Sequence, residues 1–120
     1  SISTNGTTVS FNAGSDYRLK ENVVSLSGSN AKTRVKQLKV NRFNFIKDPS
    51  LTVDGFIAHE AQTVVPEAVT GYKDEVDASG NPVYQGIDQA KFVPLLTAAL
   101  QEAYSEIEAL TARVAALEAA

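Results

Sequence analysis

The last third of the chain carries the clearest pattern of apolar and polar positions. Apolar residues fall at Val93, Leu96, Leu100, Ala103, Ile107, Leu110, Val114 and Leu117, in steps that alternate three and four, and no glycine follows Asp88. This heptad spacing predicts one long helix after Asp88 as N-cap, with Pro94 marking a kink or a break behind a short first turn. A helix packed only on its own domain usually carries a wider apolar face than this two-in-seven stripe. The stripe therefore points to self-association.

Upstream the patterns are shorter. "AKTRVKQL" (31–38) follows the loop "SGSN", which offers N-cap residues, and reads as a short helix with Val35 and Leu38 inward. "VNRFNFI" (40–46) alternates like a half-buried strand, "KDPS" (47–50) reads as a turn, and "VDGFIAHE" (53–60) as a second strand. "EAQTVVPE" (60–67) suits a short helix stopped by Pro66. "DASGNP" (77–82) between "VTGYKDEV" and "VYQGI" predicts a hairpin. "NVVSL" (22–26) fits either a short strand or a turn of helix. Phe43, Phe45, Phe56 and Ile57 are the expected core. The first fourteen residues, rich in Ser, Thr, Asn and Gly, hold one hairpin turn at Asn5-Gly6 and a short alternating run from Thr8 to Phe11. They read as the last strand or tail of a preceding β-rich body, or as a linker. The fold class is thus α+β: a small mixed globular domain of short strands and helices, then a long C-terminal helix. The composition shifts at Ser15, which divides the chain into residues 1–14, a globular part 15–88 and the helix 89–120.

Composition narrows this picture. At 120 residues, 43% hydrophobic and 21% charged, the chain is a single globular domain. A globular part of about seventy residues without a staple has a marginal core, and oligomerisation through the heptad helix supplies the missing burial. The net charge of −3 and the scattered Lys and Arg give no nucleic-acid surface. The chain has no cysteine and one histidine, which excludes disulfides, zinc-thiolate sites, cysteine nucleophiles and histidine-rich metal sites. No apolar run reaches membrane-spanning length. The acidic "YKDEVDASGNP" lacks the ligand spacing of a calcium loop and reads as a solvated hairpin. No metal or cofactor is expected. The chain opens at Ser1 without a methionine and is expected to be a fragment of a longer one.

Candidate chemistry lies in "NAGSDYRLKEN" (12–22), where Ser15 precedes Lys20 by five residues. That separation is about 140° around a helix and opposite faces on a strand. The two side chains meet only if the chain bends between them; otherwise the stretch is an ordinary solvated turn. A serine hydroxyl attacks well only when a base takes its proton, and a lysine acts as base only when neutral, a state favoured by burial or a neighbouring cation. Arg18 is near enough to be that cation unless it pairs with Asp16 or Glu21. Asp16 is as well suited to capping a turn as to assisting the chemistry.

In order, "SDYRLKENV", "VKQLKVNRFNF", "DGFIAHEAQTVVPEAV", "GNPVYQGID", "KFVPLLTAALQE" and the heptad C-terminus resemble the C-terminal intramolecular chaperone auto-processing domain of phage tail spikes and tail fibres, a self-cleaving peptidase family. The resemblance covers essentially everything after Gly14. It implies a homotrimer that assists folding of the upstream fibre or spike domain of the same chain and then cuts itself off. It makes Ser15 the nucleophile, Lys20 its partner and Gly14-Ser15 the scissile bond, with residues 1–14 the end of the mature fibre. It implies a trimer interface along Leu96, Leu100, Ala103, Ile107, Leu110, Val114 and Leu117. By the simple packing rule, Ile107 and Val114 at a with Leu110 and Leu117 at d favour two strands instead. The implied setting is a virion tail precursor assembled in the host cytoplasm, with the released chaperone absent from the mature particle or loosely held. The other reading is a trimerisation and folding module that stays attached. His59 is either a strand-end residue bonding locally or, because the resemblance places a polar residue here near the cut, a proton carrier or oxyanion donor. Glu60 is a candidate for orienting His59 or Lys20.

Overall fold

The computed structural model describes residues 14–120; the Asn5-Gly6 turn and the Thr8–Phe11 run lie outside them. The order of elements is α1 (Gly28–Val35), β1 (Asn41–Phe45), β2 (Asp48–Gly55), α2 (Ala58–Gln62), β3 (Val69–Thr70), β4 (Gly86–Ile87) and α3 (Val93–Ala119). Short 3-10 turns stand at Tyr17–Leu19, Pro66–Ala68 and Gln89–Phe92. The fold is α+β, with two separate two-stranded antiparallel sheets, β1–β2 and β3–β4.

The core forms where α1, α2 and the start of α3 meet: Ala31, Ala61, Val64, Val65, Ala68, Val69, Phe92, Leu95 and Ala99 are all buried. Small residues let the helices approach. A β-carbon added at Gly28 would lie 2.9 Å from the Glu102 Cβ, so only glycine allows α1 to begin this close to α3. Ser27 caps α1 by accepting from the Asn30 amide at 3.2 Å. Lys32 then donates to Glu106 at 2.6 Å, and Arg34 to the Val64 carbonyl at 2.8 Å, tying α1 to its neighbours. Val35 and Leu38 pack partly buried against this core, as their spacing predicts.

The expected aromatic core needs correcting. Phe56 stacks on Phe92 at 4.7 Å between ring centroids and belongs to the core's edge. Phe43 is only half-buried, Phe45 is 50% exposed and Ile57 43% exposed. The β1–β2 ribbon packs chiefly on itself, so Phe43 and Phe45 meet each other edge to face, at 5.3 Å. Alternation in a strand reports a two-sided ribbon; it does not say that a layer covers one side.

Three further local readings change. The turn after β1 is confined to Ile46 and Lys47, and Asp48–Ser50 already belong to β2. Pro49 is tolerated there because the register shifts between Asn44 and Phe45, a bulge in which the Asn44 side-chain Nδ2 donates to the Pro49 and Leu51 carbonyls. The second strand ends at Gly55, and Ala58–Gln62, read as strand end and helix start, form α2. Pro66 opens a 3-10 turn rather than stopping a helix. "NVVSL" is neither strand nor helix but an exposed, irregular lead into α1.

The hairpin forms as the turn residues predict. Val69 pairs with Ile87 and Thr70 with Gly86, and Val76 bridges to Pro82. Asp77 Oδ1 accepts from the Ser79 and Asn81 amides, and Gly80 takes φ +82°. Asp88 likewise accepts from the Ala90 amide and caps the turn Gln89–Phe92, after which Pro94 sits in the first turn of the 27-residue α3.

Candidate functional site

The segment Gly14–Ser27 leads into α1 as an arm whose every residue is exposed. Its one ordered feature is the 3-10 turn at Tyr17–Leu19. Asp16 caps it in an extended conformation (φ −64°, ψ 133°), its carboxylate accepting from the Arg18 amide at 2.8 Å. The Leu19 amide donates to the Asp16 carbonyl and the Lys20 amide to the Tyr17 carbonyl, both at 3.1 Å. This is the bend that a five-residue separation requires. Across it, Lys20 Nζ donates to Ser15 Oγ at 3.4 Å, a long hydrogen bond.

Arg18 does not stand free beside the lysine. Its Nε and Nη2 grip the two Asp16 carboxylate oxygens at 3.0 and 2.9 Å. The Arg18 side chain first, and then its backbone N–H, hold the Asp16 carboxyl below the usual carboxylate range, with a smaller contribution from the Lys20 charge. Asp16 in turn raises the guanidinium above its ordinary value. The cation that would favour a neutral lysine is thus engaged by an anion, and the exposed arm offers no burial in its place.

The other sequence candidates lie apart from this pair. His59 is half-buried in α2 and lines a cavity of about 260 Å³ with Tyr72, Glu75, Tyr84 and Gln85, a lining that includes neither Ser15 nor Lys20. Glu60 lies 3.7 Å from Lys39 Nζ and accepts from Asn41 at 3.5 Å, so it orients neither His59 nor Lys20. That cavity is a feature the sequence did not announce. It exists because the hairpin folds back, with Gln85 donating to the Gln62 side chain and the Gly71 carbonyl, and no motif marks such a closure. Among the described residues no group of three or more His, Asp or Glu is placed to hold a metal, and no helix is long and apolar enough to cross a membrane.

Along α3 the heptad positions Leu96, Leu100, Ile107, Leu110, Val114 and Leu117 are exposed, and Ala103 is half-buried. From Ile107 onward no residue of the helix is covered. Ile107, Leu110, Thr111 and Val114 line a shallow groove along it.

No curated protein matches the chain. Residues 15–70 match the family model described as Chaperone of endosialidase, a peptidase family. The matched segment opens on the serine of the Ser15–Lys20 pair and runs through α1, the β1–β2 ribbon and α2 to β3, so this part of the chain is similar to that family.

Proposed function

We propose that the chain is an intramolecular chaperone of a phage tail fibre or spike, which trimerises through α3 and releases itself by autoproteolysis between Gly14 and Ser15. Residues 1–14 are then the end of the upstream fibre, 15–88 the processing body and 89–120 the assembly helix. The observation that carries this reading is the contact of Lys20 Nζ with Ser15 Oγ at 3.4 Å, made by the residues on which the family match opens.

The chemistry follows from connectivity. Ser15 Oγ attacks the Gly14 carbonyl carbon through a five-membered ring while its proton passes to neutral Lys20. The C–N bond breaks, the protonated lysine returns that proton to the Ser15 nitrogen, and an ester joins Gly14 to the Ser15 oxygen. Water then hydrolyses the ester, leaving the Gly14 carboxylate and a chain beginning at Ser15 with a free amine and hydroxyl. Glycine at position 14 gives the hydroxyl a clear approach. The exposed pair gains low-dielectric surroundings only when a neighbouring copy covers the arm, so cutting follows assembly. The cleavage occurs during virion assembly in the host cytoplasm, and the released domain leaves the particle.

Mass spectrometry of the expressed chain tests this. A product beginning at Ser15 is expected from the natural sequence and not from Ser15→Ala, which stays folded and trimeric because it removes little volume from an exposed site. Continued cutting in the alanine variant overturns the serine mechanism. The full exposure of Ser15 and Lys20 favours one second reading, a module that trimerises, assists folding and remains attached; an uncut natural chain that folds and assembles supports it.

A further inference from the structure

Asp16 spends its whole side chain on one neighbour. Its carboxylate accepts three hydrogen bonds, all from Arg18, one from the backbone amide and two from the guanidinium, and none from Ser15 or Lys20. Yet the turn it caps is what returns Lys20 to Ser15, because without a bend a five-residue separation keeps the side chains apart. We infer that Asp16 is a positioning residue for self-cleavage: it holds the Tyr17–Leu19 turn that delivers Lys20 to Ser15 and keeps the Arg18 guanidinium turned onto itself. This inference rests on the reading of Ser15 and Lys20 as the reacting pair.

The arm has four charged side chains, Asp16, Arg18, Lys20 and Glu21, and no other element buries any of them. Among the described residues Glu21 takes no hydrogen-bond or ion-pair partner, so apart from the Lys20–Ser15 contact itself the Asp16–Arg18 clasp is the side-chain bracing of the turn. Its cap and its charge have separable consequences. The cap sets the approach of Lys20. The charge holds the Arg18 guanidinium in the clasp.

Asp16→Ala and Asp16→Asn in the full chain separate the two. Alanine removes cap and charge together; asparagine keeps a side-chain oxygen for the Arg18 amide and loses the charge. Asp16→Ala is expected to cut about 10²-fold more slowly at every pH, the cost of a misplaced reacting group, with its light-scattering mass unchanged. Asp16→Asn is expected to cut within about tenfold of the natural rate, the rescue that a retained cap allows. An alanine variant that cuts at the natural rate overturns the inference, as does an asparagine variant as slow as alanine. If the natural chain never cuts, the reading beneath fails instead, and nuclear Overhauser contacts between the Ser15 and Lys20 side chains judge the turn. Their loss in Asp16→Ala upholds it; their persistence there, or their absence from the natural chain, overturns it.

Discussion

Leu95 and Leu96 are neighbours in α3 with opposite surroundings: Leu95 is 3% exposed and Leu96 44%. The helix divides the same way along its length. Its first half lies against α1, with Leu95 and Ala99 in the core and Glu106 held by Lys32. Its second half, from Ile107 to Ala119, is exposed throughout, with no described residue covering it. One helix therefore serves two partners, the body on one face and, in the proposed trimer, two further copies on the other. The difference teaches that a strict three-four spacing marks a face needing burial without saying who supplies it.

The largest break in this comparison comes from the uncovered half. Leu110→Asp places a carboxylate at the same core position of every strand of the assembly, where an unpaired charge is strongly disfavoured. Light scattering should show the trimer mass replaced by the monomer mass, with the circular dichroism of the body retained. A dimer mass for the natural chain would count against three strands and restore the preference that Ile and Val at a with Leu at d express.

The covered half predicts a different outcome. Phe92 is fully buried and stacked on Phe56, so Phe92→Ala should cost about 3–5 kcal/mol in urea denaturation. Phe45, half-exposed on the ribbon, should cost only about 1 kcal/mol when truncated. Equal costs would mean that another copy covers the ribbon in solution. The arm sharpens the contrast again. Lys20→Arg keeps the charge and cannot deprotonate near neutrality, so it should stop cleavage, read by mass, while leaving the assembly and the denaturation midpoint unchanged.

The parts legible in sequence were those whose signal is local. Asp88, Pro94 and the heptad placed α3; Asp77 and Gly80 placed the hairpin turn; Asn41–Phe45 alternated as a strand does. What failed needed tertiary knowledge. Phe43 and Phe45 look like core because alternation reports two faces, yet no layer covers theirs. Ala31, Ala61 and Ala99 look bland and are the core, because close helix approach selects small residues. At the site, the Ser15–Lys20 spacing was legible as a question, and Asp16 as a possible cap. The pairing of Arg18 with Asp16 rather than Glu21 depends on the turn itself, which no periodicity records.

The smallest effect concerns the junction between the two halves of α3. Glu106 is held below the ordinary carboxylate range, chiefly by the hydrogen bond from Lys32, with lesser help from Glu102 and the Lys36 charge. A carboxyl whose folded-state value is depressed adds stability above the unfolded value and loses it as pH falls through the folded one. Docking of α1 on α3 should therefore weaken below the ordinary glutamate range and be unaffected between neutral and mildly alkaline pH. The pair is partly exposed, so salt screens it and the effect should shrink at high ionic strength. Lys32→Gln should flatten this acid limb relative to the natural chain, in denaturation midpoints compared at low salt. A limb of unchanged slope in that variant would assign the acid sensitivity to other carboxylates and leave the α1–α3 contact resting on Ala31, Leu95 and Ala99 alone.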